Sequence, residues 1–247
     1  MILKTLKFKN KNLKIIYRDN SDISVIDEFF VDKMYRGAED LITKCKSPIL
    51  DIGAHIGIFS LYASILNPNA KIIALEPEPD NFKLLKENLK QNHCKNILTK
   101  QMALIPSRHP ERNPSDNEGE VEGSPTLTTK LYLSEDNHTH STLRQDSGQT
   151  IEVPATTLEK LITKNKLNKI GLLKMDIEGA EFSIIRNTTQ DTWNKIQYIV
   201  VEYHESEKNK RADLENIIRS HGFSVEHFPN HFDKRFGLLL CRNKKTG

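Results

Sequence analysis

Three groups of residues in this 247-residue chain have types and spacings that could carry chemistry. The first is Asp51-Ile52-Gly53-Ala54-His55-Ile56-Gly57, where an apolar run ends in an acid and a turn of small residues. Small residues let a backbone approach a ligand closely. The second is Glu76-Pro77. An acid roughly 20 residues after such a turn can accept hydrogen bonds from ribose hydroxyls. The third is a pair of acid-rich segments, Asp176-Ile177-Glu178-Gly179-Ala180-Glu181 and Val201-Glu202-Tyr203-His204. Carboxylates and an imidazole can move a proton, orient a polar ligand or hold a cation. On a strand, Glu202 and His204 would share one face.

The turn differs from the G-x-G-x-x-G fingerprint, because His55 stands in the second glycine position. A pyrophosphate needs that glycine. S-adenosylmethionine (SAM), a nucleoside ligand with no pyrophosphate, does not. The stretch Gln101-Met102-Ala103-Leu104 closes the next apolar run and is expected beside the adenine. The expected cofactor contacts are therefore Asp51, Gly53, Ala54, His55, Gly57, Glu76, Pro77, Met102, Ala103 and Asp176. Two alternatives stand beside a SAM enzyme: an NAD-dependent oxidoreductase and a SAM-binding interaction module without catalysis. The missing glycine weighs against the first, and the acids at the strand ends weigh against the second.

These residues need elements to position them. Apolar runs at 48–53, 71–75, 96–101, 171–175 and 196–201 read as buried strands. Helical patterns at 58–66, 157–164, 180–186 and 208–220 alternate with them, and Phe82, Leu85 and Leu89 mark another helical face. The alternation implies βαβ units and a mostly parallel sheet. Segments 223–228 and 237–241 are expected to close the sheet as an antiparallel hairpin, with Gly222 ending the helix before them. In such a sheet the strands ending at Asp176 and Glu202 are neighbours, so Asp176, Glu202 and His204 could converge. Methyl transfer from a sulfonium is an in-line displacement, which demands alignment and removal of the acceptor's proton. His204 or Asp176 is expected to take that proton, and Glu202 to orient the substrate or the histidine. Glu178 and Glu181 would favour the N-terminus of the following helix, with Glu178 also a candidate substrate contact. Asp176, Glu202 and His204 could hold a divalent metal, but their spacing is not of motif quality and no metal is expected.

The remaining chain frames this core. Residues 1–47 read as a strand and helix segment capping the acceptor side, and residues 48–247 as the cofactor-binding domain. Residues 1–9 alternate apolar with basic residues, which suits a strand and not an export signal. The basic cluster from Lys4 to Arg18 reads as a strand with a solvated lysine face. Residues 106–125 carry five carboxylates against two arginines among Pro, Ser, Asn and Gly, and read as a surface insertion. Hairpin material follows at 126–133 and 149–153. Ser141 and Thr142, between those runs, are candidate substrate contacts.

Apolar residues make up 37% and charged residues 28%, which suits a globular chain. No apolar run nears the ~18 residues of a membrane span. The formal charge of +3 comes without an aromatic-basic binding motif, so no nucleic-acid partner is expected. Cys45, Cys94 and Cys241 form no CxxC pair, which argues against disulfides and structural zinc and suits a cytoplasmic protein. Nothing in the sequence sets an oligomeric state.

The chain resembles the FkbM-type methyltransferases over roughly residues 18–241, apart from the insertion. The resemblance rests on Ile49 to Gly57, on Ala74-Leu75-Glu76-Pro77 and most specifically on Lys174-Met175-Asp176-Ile177-Glu178-Gly179-Ala180-Glu181. Arg18-Asp19-Asn20-Ser21-Asp22, leading on to Tyr35, looks like the segment preceding that family's core. Val153 to Leu158 resembles its lead into the next helix. The resemblance implies a Rossmann-like class I methyltransferase fold, an α/β architecture with a mostly parallel seven-stranded sheet. It further implies SAM as cofactor and, usually, O-methylation of a polyketide or sugar hydroxyl. Gln101 departs from the family's common Asn.

Overall fold

The computed structural model describes residues 1–107, 127–133, 149–230 and 233–245. Ser141, Thr142 and most of the insertion at 106–125 lie outside the described residues.

The chain opens with two strands, β1 (Ile2–Phe8) and β2 (Lys11–Tyr17), paired antiparallel. The single basic strand expected here is thus a hairpin. Lys9 and Asn10 turn it, both at positive φ, a backbone conformation that Asn tolerates better than most residues. Helix α1 (Asn20–Phe30) follows, capped by the Asp19 side chain, which accepts from the Ser21 and Asp22 amides. A short 3-10 turn (Met34–Ala38) and α2 (Glu39–Lys44) lead into the sheet.

The repeating units are β3 (Ile49–Ile52), α3 (Ile58–Leu66), β4 (Ile72–Leu75), α4 (Pro79–Gln91) and β5 (Ile97–Lys100). Two short strands follow, β6 (Ala103–Leu104) and β7 (Thr128–Tyr132), then β8 (Thr150–Thr156) and α5 (Leu158–Lys164). The chain ends with β9 (Ile170–Met175), α6 (Glu181–Asn187), α7 (Gln190–Lys195), β10 (Ile196–His204), α8 (Arg211–Ser220), β11 (Phe223–Pro229) and β12 (Phe236–Asn243). The main sheet has seven strands in the order β11-β12-β10-β9-β3-β4-β5. Strands β10, β9, β3, β4 and β5 run parallel, and β12 lies antiparallel between β10 and β11. The expected terminal hairpin forms at the sheet edge, with β11 outermost and β12 between it and β10.

Every residue of β3, β4 and β9 is buried, as parallel strands covered on both faces must be. On one face, Ile49, Ile72 and Leu172 pack with α3, α4 and the N-terminal segment, including Leu13, Ile26, Phe29 and Tyr35. On the other, Leu50, Ile73 and Leu173 pack with α5, α6, α8 and Trp193 of α7. The N-terminal hairpin is fastened by side chains as well. Asn88 of α4 accepts from the Ile16 amide at 2.7 Å and donates to the Ile56 carbonyl at 2.9 Å. The expected third strand does not continue to Leu104. It ends at Lys100, and Ala103–Leu104 crosses over to pair with β8 in a separate three-stranded sheet. That break turns Met102 and Ala103 over the carboxyl ends of the main strands. No helix among the described residues is long and apolar enough to cross a membrane.

Candidate active site

A cleft opens at the carboxyl ends of β3, β4, β9 and β10, where an open α/β sheet places its ligands. Its floor is the turn after β3. The Gly53 and Ala54 amides both donate to the Leu75 carbonyl, at 3.1 and 2.9 Å. Gly53 sits at φ +76, and a Cβ there would stand 1.8 Å from the Asp176 carbonyl oxygen. Only glycine allows the ends of β3 and β9 to close to that distance. Gly53, Ala54, His55, Glu76, Pro77, Met102, Ala103, Asp176, Glu178 and Glu202 all line the cleft. Asp51 and Gly57, expected as cofactor contacts, do not line it. Asp51 is fully buried beneath, accepting from Ser60 Oγ at 2.6 Å. Gly57, at φ +90, starts α3 with Leu85 against it.

At one end of the cleft Glu76 is almost wholly buried. Its carboxylate accepts from the His55 amide at 2.8 Å and the Glu78 amide at 3.0 Å. Burial pushes its pKa up to about 7. Asn81 Nδ2 donates to the same oxygen as the Glu78 amide, at 3.5 Å, so the oxygen facing the His55 amide keeps a lone pair for a further donor. Met102, Ala103, Leu104 and Leu131 form an apolar wall nearby.

The opposite end is acidic. Asp176, Glu178 and Glu202 are joined there by Glu28 of α1, which sequence reasoning missed, with Phe29 and Tyr35 beside it. Burial and the neighbouring Asp176 and Asp32 push the Glu28 carboxyl up to about 7. Burial, partly offset by His204, pushes Glu178 up to about 8. Burial and Asp176 hold Glu202 well above the usual carboxylate range. His204 lies just behind: Nε2 is 3.3 Å from Glu178 and Nδ1 is 3.4 Å from Glu181. Burial alone would lower its pKa, but the carboxylates of Glu181, Glu178 and Glu202 win and hold it well above the usual histidine range. The carboxylate against Nδ1 is Glu181, while Glu202, expected to orient the substrate or the histidine, lines the cleft. Glu181 is fully buried and also accepts from the Ile177 amide at 2.7 Å, so it caps the turn before α6 as well.

A second group missed in the sequence is Lys174, a buried cation inside an apolar strand. Its Nζ donates to the Gly53 carbonyl at 2.7 Å and lies 3.4 Å from Asp51 and 3.7 Å from Asp176. Burial favours the neutral amine, but Asp51, Asp176 and Glu202 outweigh it and raise the pKa. The signal was present: a lone charge in Gly171-Leu172-Leu173-Lys174-Met175 must be paired to be buried.

The N-terminal segment is latched to the same turn. Asp22, fully buried, accepts from the Arg18 amide at 2.7 Å, Nε at 2.9 Å and Nη2 at 2.8 Å. His55 Nε2 stands 3.3 Å away. Arg18 Nη2 also reaches Asn81 at 2.5 Å.

Comparison with known proteins agrees with this architecture. Residues 51–225 match the Methyltransferase FkbM domain family. The chain is similar to the 31-O-demethyl-FK506 methyltransferase FkbM of Streptomyces tacrolimicus, 26% identical over 80% of each chain. It is also similar to the 2-O-methyltransferase NoeI of Sinorhizobium fredii, 27% identical over 71% of this chain and 70% of that one. Among solved structures, an rRNA methylase from Streptococcus thermophilus shares the fold at a TM-score of 0.51 and 10% identity, covering 87% of this chain and 98% of that one. With more than half its length matched, the chain belongs to the FkbM methyltransferase domain family.

Proposed function

We propose that the protein is a SAM-dependent O-methyltransferase acting on a hydroxyl of a sugar, glycan or polyketide-like acceptor. The observation that carries the reading is the polarity of the cleft: Glu76 and an apolar wall at one end, and a crowd of carboxylates at the other. The first end suits a nucleoside. Glu76 accepts from ribose hydroxyls, and Met102, Ala103 and Leu104 flank the base. SAM supplies a methyl group on a sulfonium, and the acidic end favours that positive charge. The acceptor enters beside Asp176 and Glu202, under a cap formed by Val25, Glu28, Phe29 and Tyr35 from residues 1–47. Asp176 takes the acceptor's proton. His204 does not, because it stands behind Glu178, outside the lining of the cleft. The names of the two relatives, a 31-O and a 2-O methyltransferase, support oxygen as the methylated atom.

Calorimetric titration with SAM and, separately, with NAD tests the reading. Micromolar SAM binding is expected, with none for NAD. Glu76→Ala should abolish it while the variant still melts cooperatively. Release of S-adenosylhomocysteine across a panel of sugar and polyketide hydroxyls then reads the acceptor, and Asp176→Asn should lose that release while still binding SAM. A folded protein that ignores SAM would overturn the proposal.

A further inference from the structure

Asp176, Glu178 and His204 each offer one ligand atom, and these atoms lie within 4.8 Å of one another. Bonds of about 2.0–2.2 Å around one small cation set ligand separations below ~4.5 Å, so the three atoms need to close only slightly to share one. The set is not merely a patch of acids. It has an imidazole with a carboxylate placed behind its outer nitrogen. Glu181, fully buried, sits 3.4 Å from His204 Nδ1 and is itself fixed by the Ile177 amide at 2.7 Å. Its second oxygen, Oε2, is buried with no hydrogen-bond partner among the described residues. A carboxylate behind the far nitrogen of a histidine is the arrangement that orients metal-bound imidazoles. Here it aims Nε2 at Glu178, 3.3 Å away. Phe236 closes the ring's flank edge-on, at 5.5 Å between centroids.

We infer that Asp176, Glu178 and His204 form a binding site for one divalent cation, at the acceptor end of the cleft. Two carboxylates and one imidazole suit a first-row divalent ion such as Mn2+ and leave coordination positions open toward the cleft. The inference deepens the reading above and rests on it for its role. An acceptor hydroxyl entering an open position would lose its proton more readily. The O–H proton passes to Asp176, through the carboxylate oxygen outside the ligand set. The oxygen then takes the methyl carbon, whose bond to sulfur breaks. The set differs from the grouping weighed from sequence in having Glu178 where Glu202 stood.

The test is Mn2+ titration of the metal-stripped full-length protein, followed by electron paramagnetic resonance, with SAM binding measured in parallel. One tightly held Mn2+ per chain is expected, with nitrogen coupling from His204 in the spin-echo modulation. Glu178→Gln and His204→Gln should each lose the site. Glu181→Gln, which touches no ion, should weaken it roughly tenfold or more and broaden the nitrogen signal. Protein that binds SAM but holds no Mn2+ more tightly than the Glu178→Gln variant overturns the inference and leaves the methyltransferase reading intact. Bound Mn2+ without nitrogen coupling overturns it as well. Loss of SAM binding would strike the methyltransferase reading alone.

Discussion

At the scale of single residues, the site is governed by buried charges whose partners are fixed. Lys174 neutralises Asp51 from 3.4 Å in the floor of the cleft. Removing one partner of a buried pair strands the other, at a cost of about 3–5 kcal/mol. Lys174→Met should therefore lower the unfolding free energy read from a urea titration by that much, and adding Asp51→Asn should recover part of the loss. If the single variant is as stable as the parent, the pair is not structural. Glu76 gives a pH dependence with a definite sign. Its folded pKa of about 7 lies above the ordinary 4.5, so the folded state holds a proton that the unfolded chain has released. Stability from this group is full below the ordinary value and falls as pH rises toward about 7, by up to ~3 kcal/mol. A Glu76→Gln variant should lack that slope. Ribose hydroxyls donate to the ionised form, so SAM affinity should rise with pH and level off above about 7. Titrations near pH 6 and pH 8 would show it; equal affinities would remove Glu76 from the ribose.

At the scale of elements, the centre of the sheet was readable because β3, β4 and β9 are buried on both faces and so stand out as apolar runs between amphipathic helices. The turn after β3 and the acids at the ends of β9 and β10 were readable for a related reason: they interrupt or end those runs. The N-terminal hairpin was not, because its turn uses Lys9-Asn10 without a glycine. Glu28 and Tyr35 escaped because they reach the cleft only through long-range docking of α1 and the turn after it. Glu181 escaped because its bearing on His204 depends on how α6 lies against β10. The docking of α1 makes its own prediction. Asp22 is held well below the usual carboxylate range, since the hydrogen bonds from Arg18 and His55 outweigh its burial. Its stabilisation is present at neutral pH and lost only as pH falls far into the acid range. Asp22→Asn should cost about 3 kcal/mol, speed amide exchange in α1, and weaken SAM binding about tenfold, or 1.4 kcal/mol. Fast exchange in α1 with unchanged SAM affinity would show that the latch serves the fold alone.

At the scale of the whole molecule, one sheet separates two apolar layers, and the N-terminal segment belongs to only one of them. The cleft is where that segment, the turn after β3 and the small sheet of β6, β7 and β8 meet the main strands. A ligand seated there ties these parts together, while β11 and β12 at the far edge gain nothing directly. Saturation at about 100 times the dissociation constant adds ~2.7 kcal/mol to global stability. Local openings that would expel the ligand are suppressed further, so the pattern of protection should be uneven. SAM should slow amide exchange most in α1, in residues 53–57 and in β6. In β11 and β12, any slowing should match the global gain and no more. Gly53→Ala is the control, because its Cβ cannot coexist with the Asp176 carbonyl oxygen 1.8 Å away. That variant should part β3 from β9 at the cleft floor and lose the pattern. Uniform protection across α1 and β11 alike would mean that the ligand stabilises the fold without bridging its parts, and the N-terminal segment would then have no share in the site.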